Sequence, residues 1–479
     1  MDLRNGVVSA YALAALSGLL LSLSYALHPF WLAAWLAPAP IIIATLRAPA
    51  SHRRWVSLLA GAFGGISTFA YHLTVGGWFA ALLIFVLVAL AWSSAIRLAV
   101  VFAERCQFSL ALLSVPVVWA AIDTLLIHLS PHGSAGSIAY SQMNALPVIQ
   151  VASLGGMPAI TFVVLLGGSL LGLLIGKGLE TDRKEKLVAG IAAIFLIGAT
   201  LAFGFIRLDG TDRPSGPNTV LVATDSVDRR QTSWGGFLQV YGGAIEQSAK
   251  PGSIVVLPEA VLDLPEAQAE VAGRELAERA FETRSTIVVG MSVEGVDEAT
   301  GRALIAQPDG RFHWYIKQHL IPGIEGALTP GTQPLVVASA TTKIGVAICK
   351  DMHFPTLGRE YAQQGAELML VPANDFEVDD WLTARMTVLR GVESGFSIAR
   401  AARGGGISFV SDRYGRVLAE RRSDGTMGVL EAEIPLRKTA STVYTAIGDL
   451  FGWLCALGWV ILTLLRYGLF ERVLGRVRS

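Results

Sequence analysis

The sequence predicts an α-helical membrane bundle of about eight spans, with an α/β layered domain inserted before the last of them. Three observations carry that reading. Of the 479 residues, 52% are hydrophobic and only 16% charged, with a mean hydropathy of +0.52, too apolar for an ordinary soluble domain. Charge-free stretches long enough to cross a bilayer recur through residues 5–206 and return near the C-terminus. Between them the charges change sign: residues 207–438 hold 24 Lys and Arg against 30 Asp and Glu, a net of −6, and the remainder carries +6. These values exclude a disordered chain and a nucleic-acid-binding protein. Three cysteines cannot build a disulfide framework. The expected divisions are a membrane domain of about seven helices over 1–206, a polar domain over 207–438, and a last span with a basic tail over 439–479.

Residues 5–46 contain no Asp, Glu, Lys or Arg, enough for two spans broken near His28-Pro29. Residues 55–96 repeat this with a break near Gly76-Gly77. From 106 to 176 the only charge is Asp123, leaving a span near 108–128, a Gly/Ser-rich connection, and a span near 158–176. Residues 187–206 and 446–465 supply the last two. Other spans follow the first directly, so it reads as a span and not as a cleaved signal peptide. Arg4, the Arg47/Arg53/Arg54 loop, Arg105, the Lys177/Arg183/Lys184/Lys186 loop and the Arg466–Arg478 tail all fall on one side. The alternate connections lack Lys and Arg. The basic side is expected in the cytoplasm, which puts the polar domain on the opposite face, the periplasm of a bacterium. Asp123 and Asp449 sit near expected span ends, where a solvated or capping role outweighs a functional one.

Within the polar domain, Val220–Thr224, Ser253–Glu259, Ser285–Val293, Lys343–Cys349, Leu368–Asp375 and Ile407–Asp412 read as strands. Residues 234–249, 265–283 and 380–402 read as helices. Runs such as Ile254-Val255-Val256-Leu257 are apolar on both faces, as in a sheet covered on each side. Three polar residues stand at suspicious points. Glu259 ends a strand, Lys317 follows the aromatic run Phe312-His313-Trp314-Tyr315 and an Ile, and Cys349 ends another strand. Ligands of open α/β sheets bind at the carboxyl ends of strands. A Cys there is a nucleophile once a carboxylate takes its proton and an ammonium stabilises the oxyanion. Taken singly, each has a blander reading: a buried small hydrophobe, a cap or a solvated lysine.

In the order Glu, Lys, Cys these contexts resemble the nitrilase (carbon–nitrogen hydrolase) superfamily over about 220 residues. The matching motifs are Leu257-Pro258-Glu259, Tyr315-Ile316-Lys317-Gln318-His319-Leu320 and Cys349-Lys350-Asp351-Met352-His353-Phe354-Pro355. Glu325 matches the superfamily's supporting second glutamate, and Ala373-Asn374-Asp375 the strand end after the cysteine elbow. The resemblance implies an αββα sandwich. Along the whole chain the layout is similar to the apolipoprotein N-acyltransferase branch. That branch implies a phospholipid acyl donor, a diacylglyceryl lipoprotein acceptor, no cofactor or metal, and the bacterial inner membrane. Cys349 is then the nucleophile, Glu259 the base, Lys317 the oxyanion holder, with Glu325 and Asp351 in support.

Several positions depart from that branch. Lys350 and Asp351 stand where it has an aromatic residue and Glu, so Lys350 puts a second cation near the thiol. Asn374-Asp375-Phe376-Glu377-Val378-Asp379 replaces Asn-Asp-Ala-Trp-Phe-Gly, and Thr224-Asp225-Ser226 a Gln-Gly-Asn-type turn. Lys350, Trp234, Phe376 and Trp381 are the expected substrate contacts, simple packing being the alternative for each aromatic ring. Arg385, Arg390, Glu393, Arg400 and Arg403 read as internal ion pairs ahead of a head-group site. Gly404-Gly405-Gly406 lacks the spacing of a dinucleotide loop, and the histidines show no metal-ligand cluster. Two other functions stay open on these residues: a membrane-bound amidase, in which water resolves the acyl-enzyme, and a silent scaffold that keeps the fold.

Overall fold

The computed structural model describes residues 3–176, 182–210, 216–223, 230–296, 298–339, 341–436 and 441–468. Lys177, the Thr224-Asp225-Ser226 turn and the tail beyond Gly468 lie outside the described residues. Two units divide the chain, one from 1–126, 136–206 and 449–479, the other from 127–135 and 207–448.

The first unit is helical: α1 (Leu3–Tyr25), α2 (Trp31–Leu36), α3 (Pro38–Arg47), α4 (Arg53–Glu104), α5 (Phe108–Leu129), the short α6 (Leu146–Ile149) and α7 (Ala152–Gly155), α8 (Met157–Ile175) and α9 (Arg183–Asp209). A final apolar helix covers Leu450–Arg466. Among the described residues six helices are long and apolar enough to cross a membrane: Gly6–Tyr25, Arg53–Thr74, Gly76–Glu104, Phe108–Leu129, Met157–Ile175 and Arg183–Asp209. The two other expected spans are present as shorter apolar helices, Trp31–Arg47 and Leu450–Arg466. Pro38 divides the former, because it lacks the N–H a continuing helix needs and instead starts α3. Gly77, at φ 74° and ψ −179°, kinks α4 where the sequence places a break.

Small residues let these helices approach. A Cβ on Gly61 would lie 2.8 Å from the Ala89 carbonyl oxygen, and one on Gly64 2.8 Å from Leu21 Cβ. Close backbone packing of this kind substitutes for the hydrophobic drive that lipid removes. Polar clamps assist it: the Ser57 and Ser93 hydroxyls meet at 2.7 Å, and Trp35 Nε1 donates to Gln142 Oε1 at 2.9 Å. Asp123 differs from its expected place at a solvated span end. It is buried, accepting from the Ser137 hydroxyl at 2.8 Å and from that of Thr161.

The second unit contains β1 (Asn218–Ala223), α10 (Trp234–Ser248), β2 (Ile254–Val256), β3 (Leu262–Pro265), α11 (Glu266–Thr283), β4 (Thr286–Glu294), β5 (Ala299–Ala306) and β6 (Phe312–Ile316). There follow β7 (Leu335–Ala338), β8 (Lys343–Val346), α12 (Pro355–Gln363), β9 (Leu368–Asn374), α13 (Asp380–Ser394), β10 (Ser397–Arg403), β11 (Ile407–Ser411), β12 (Val417–Arg422), β13 (Gly428–Glu433) and α14 (Val443–Ile447). Leu450–Arg466 is then α15. One sheet runs β13-β1-β2-β4-β5-β6, with β3 on β4, and the other β12-β11-β10-β9-β8-β7. Alternate residues of the first sheet, Val220, Val222, Val255, Ile287 and Val289, pack with Phe237, Tyr241, Leu276 and Ala280 of α10 and α11. The intervening Leu221, Ile254, Val256 and Val288 are equally buried on the face turned to the second sheet. With α12 and α13 beyond that sheet, the layers are the expected αββα.

Two expected elements are corrected. The helix read over 380–402 stops at Ser394, because Gly395 takes the left-handed conformation (φ 85°, ψ 20°) and Ser397–Arg403 becomes a buried central strand. The strand read to Cys349 ends at Val346, and a 3₁₀ turn occupies Cys349–His353.

Candidate active site

Glu259 lies in the turn after β2. Leu257 N still donates to Val288 O at 2.8 Å, but Pro258 has no N–H to continue the ladder and Ala260 turns the chain at φ 51°. Gly290 N donates to Pro258 O at 3.2 Å. A Cβ on Gly290 would lie 2.5 Å from Glu259 Cα, so only glycine lets β4 support this turn. Glu259 N donates to Ala373 O of β9 at 3.3 Å, which sets the glutamate between the two sheets.

Lys317 follows β6. Its backbone N donates to Gly301 O at 2.9 Å and its carbonyl accepts from Gly331 N at 2.8 Å. The side chain is 1% exposed, with Nζ 2.8 Å from Glu259 Oε1 and 2.7 Å from Glu325 Oε1. Glu325 Oε2 accepts from Ile321 N at 2.7 Å, which closes the loop that presents it.

Cys349 adopts φ 45°, a left-handed conformation that costs a non-glycine residue about 1–3 kcal/mol. Asp351 holds the elbow in place. Its buried carboxylate accepts from Ile348 N (3.0 Å), Tyr315 OH (2.8 Å), Gln318 N (3.2 Å) and His319 N (2.8 Å), tying the Cys349 turn to the Lys317 loop. The thiol is buried, donating to Asn374 O at 3.6 Å, with Asp375 Oδ1 at 3.9 Å. Behind it Arg400 clamps Asp375 through two bonds of 2.8 and 2.5 Å.

Burial pushes the Cys349 thiol well above its ordinary pKa, with Glu259 and Asp375 adding to the rise and Lys317 and Arg400 opposing it. The thiol therefore rests protonated. Burial also raises the Glu259 carboxyl, against the pull of Lys317 and with the help of Glu325, into better balance with proton transfer near neutral pH. Burial works against charge on Lys317, but Glu259, Cys349 and Glu325 together hold its ammonium above the usual range. The arrangement can take a proton from a thiol and place a fixed cation where an oxyanion develops.

Among the expected residues, the structure brings Glu259, Lys317, Glu325 and Cys349 together, with Asp351 in the scaffold beneath. Lys350 is buried, and its ammonium donates to Leu320 O at 2.7 Å. Burial first and then Lys317 depress it to about 8. Phe376 is 39% exposed, two residues past Asn374. Trp381 lies in the first turn of α13 with the Arg385 guanidinium 5.6 Å over its ring. Trp234 is engaged elsewhere, donating to Glu275 Oε2 at 2.5 Å and stacking on Phe237 at 5.0 Å. The Asp375–Arg400 clamp was not legible as such, since Arg400 read as helical. Nor was the use of Gly404 and Gly405: both take positive φ, and Cβ atoms there would meet Asp375 O at 2.6 Å and Glu377 Cβ at 2.9 Å. They make room for the loop beside the thiol.

The profile of the carbon-nitrogen hydrolase family matches residues 230–444. That of the apolipoprotein N-acyltransferase N-terminal domain matches residues 17–170. An apolipoprotein N-acyltransferase of Geobacter metallireducens is 24% identical over 95% of this chain and 95% of its own. Another, of Haemophilus influenzae, is 22% identical over 59% of this chain and 60% of its own. A solved amidase from Nesterenkonia sp. is 24% identical with a TM-score of 0.41, covering 47% of this chain and 92% of that one. With both profiles matched in one multi-pass helical chain, and an apolipoprotein N-acyltransferase similar along 95% of it, the chain belongs to the carbon–nitrogen hydrolase superfamily, in its apolipoprotein N-acyltransferase branch.

Proposed function

We propose that this protein is a membrane N-acyltransferase that moves a fatty acyl group from a phospholipid, through a thioester on Cys349, to the N-terminal amine of a diacylglyceryl-cysteine lipoprotein. The observation that carries the reading is the buried Glu259–Lys317–Glu325 chain beside a thiol on a strained elbow. In the first half-reaction Glu259 takes the thiol proton as Sγ attacks the ester carbonyl carbon. Lys317 stabilises the oxyanion. The carbon–oxygen bond then breaks, Glu259 returns the proton to the glycerol oxygen, and a lysophospholipid leaves. In the second, the acceptor amine attacks the thioester as Glu259 takes its proton. The carbon–sulfur bond breaks and the thiolate is reprotonated. Lys350, Phe376 and Trp381 line the approach in this reading, and Glu325 orients Lys317.

A membrane mount suits this chemistry, because drawing an acyl chain out of a bilayer costs about 0.8 kcal/mol per CH₂. The basic loops support a bacterial inner membrane with the catalytic unit on the periplasmic side. Intact mass after incubation with phospholipid tests the proposal. Wild type should gain one fatty-acyl mass, removable by hydroxylamine, and Cys349→Ala none. A diacylglyceryl-cysteine peptide should then discharge the adduct. Discharge at the same rate without the peptide would mean that water resolves the acyl-enzyme, and the protein would be an amidase.

A further inference from the structure

A cavity of about 430 Å³ opens in the helical unit among the ends of α3, α4 and α15, lined by Arg53, Arg54, Arg97 and Arg466 with Ser51 and Glu104. Four guanidiniums thus share one carboxylate among the described residues that line it, and Arg53 already engages Glu104 at 2.5 Å. Arg53 and Arg54 occupy the first turn of α4, which contains no acidic residue. The partial positive charge of a helix N-terminus disfavours cations there. Arg466 ends α15, and Arg105 donates to its carbonyl at 2.7 Å, drawing a fifth guanidinium toward the same end of the bundle. An excess of guanidiniums over carboxylate, a concave site and a helix N-terminus together suit an anion.

We infer that this cavity holds the phosphate of an anionic phospholipid head group. A soluble phosphate would meet the same guanidiniums, but the surroundings are those of a bilayer interface. The Arg54 guanidinium lies 4.7 Å over Trp55, and that of Arg466 5.3 Å over Tyr467. Both rings are more than half exposed, at 52% and 58%, as aromatic residues are at head-group level. The cavity sits at the basic ends of the apolar helices, where juxtamembrane arginines recognise acidic lipid.

Native mass spectrometry of the full chain in detergent tests this, in a Cys349→Ala background so that no lipid is turned over. Dioleoylphosphatidylglycerol should bind in preference to dioleoylphosphatidylcholine. Arg54→Gln with Arg97→Gln should weaken the former about 30-fold, from about 1 kcal/mol per arginine, and leave the latter unchanged. Arg54→Lys with Arg97→Lys should keep most of the preference, which separates lost charge from lost fold. Unchanged phosphatidylglycerol binding in the double Gln variant, or no preference in the parent, would overturn the site. Displacement of the lipid by an equal concentration of sn-glycerol 3-phosphate would overturn the lipid assignment in favour of a soluble phosphate.

Discussion

Lys317 stands between two carboxylates, and the outer one helps set the basicity of the inner. Glu325 raises the Glu259 carboxyl through its charge, so neutralising it with Glu325→Gln should lower the Glu259 pKa. The base role proposed for Glu259 requires its ionised form, so the acidic limb of kcat/KM should move to lower pH. A limb that stays in place would remove the coupling. Lys350 carries a second titration. Its ammonium is depressed to about 8 in the folded protein by burial and Lys317, against about 10.4 in an unfolded chain. Between those values the unfolded state binds more protons, so this lysine adds stability as pH rises through the window. The midpoint advantage of Lys350→Met over wild type should shrink from pH 7.5 to pH about 10; a constant difference would contradict the depressed value. Glu259, Lys317 and Cys349 were legible because each interrupts or ends an apolar strand with a group that burial makes costly. Lys350 was legible as a neighbour of the thiol, but its bond to the Leu320 carbonyl depends on a loop fold that no spacing reveals.

The elements place these groups through two contacts that substitution can reach. Gly290→Ala would press a methyl group against the Glu259 turn, at 2.5 Å from its Cα. Overpacking of this kind costs about 1–3 kcal/mol, and a shift of about 1 Å in the proposed base lowers turnover on the order of 10²-fold. Activity should therefore fall well beyond what the loss of melting temperature explains, and a kcat/KM within twofold of wild type would refute the contact. Asp351→Asn tests the second. An amide turns a donor toward one of the N–H groups that the carboxylate now receives from the elbow and the Lys317 loop, at a cost of about 3 kcal/mol. Thermal midpoint and thiol alkylation should change together, since Asp351 ties the strained Cys349 turn to the Lys317 loop; alkylation at the wild-type rate in a destabilised variant would sink the anchoring role. At this scale the sequence was read well where strands are apolar on both faces, as in Ile254–Val256 and Leu368–Asn374. It was read poorly at 395–402, where Ser, Ala and Arg continue a helical composition and one glycine in a left-handed conformation ends it. The elbow at Cys349 was legible through the resemblance alone, because a non-glycine residue at φ 45° leaves no mark in composition.

At the scale of the whole molecule, the alternation of charge-free runs and arginine loops was the most legible feature, since a bilayer imposes length and charge rules that local packing cannot override. The shorter Trp31–Arg47 and Leu450–Arg466 helices are apolar for the same reason, and a proline and a 17-residue length limit them. The proposed orientation follows from those loops and has a native reporter. Cys106 is exposed beside Arg105, between α4 and α5, and the other two cysteines are buried. Its loop belongs to the basic set, so in right-side-out bacterial spheroplasts a membrane-impermeant maleimide should leave Cys106 unlabelled until the membrane is permeabilised. Asp424 lies between β12 and β13 of the catalytic unit with its side chain 57% exposed. A cysteine introduced by Asp424→Cys should react in intact spheroplasts at once. Labelling of Cys106 before permeabilisation, with Asp424→Cys protected, would invert the topology. The thioester would then form facing the cytoplasm, away from exported lipoproteins, and the acceptor proposed for Cys349 would fall with it.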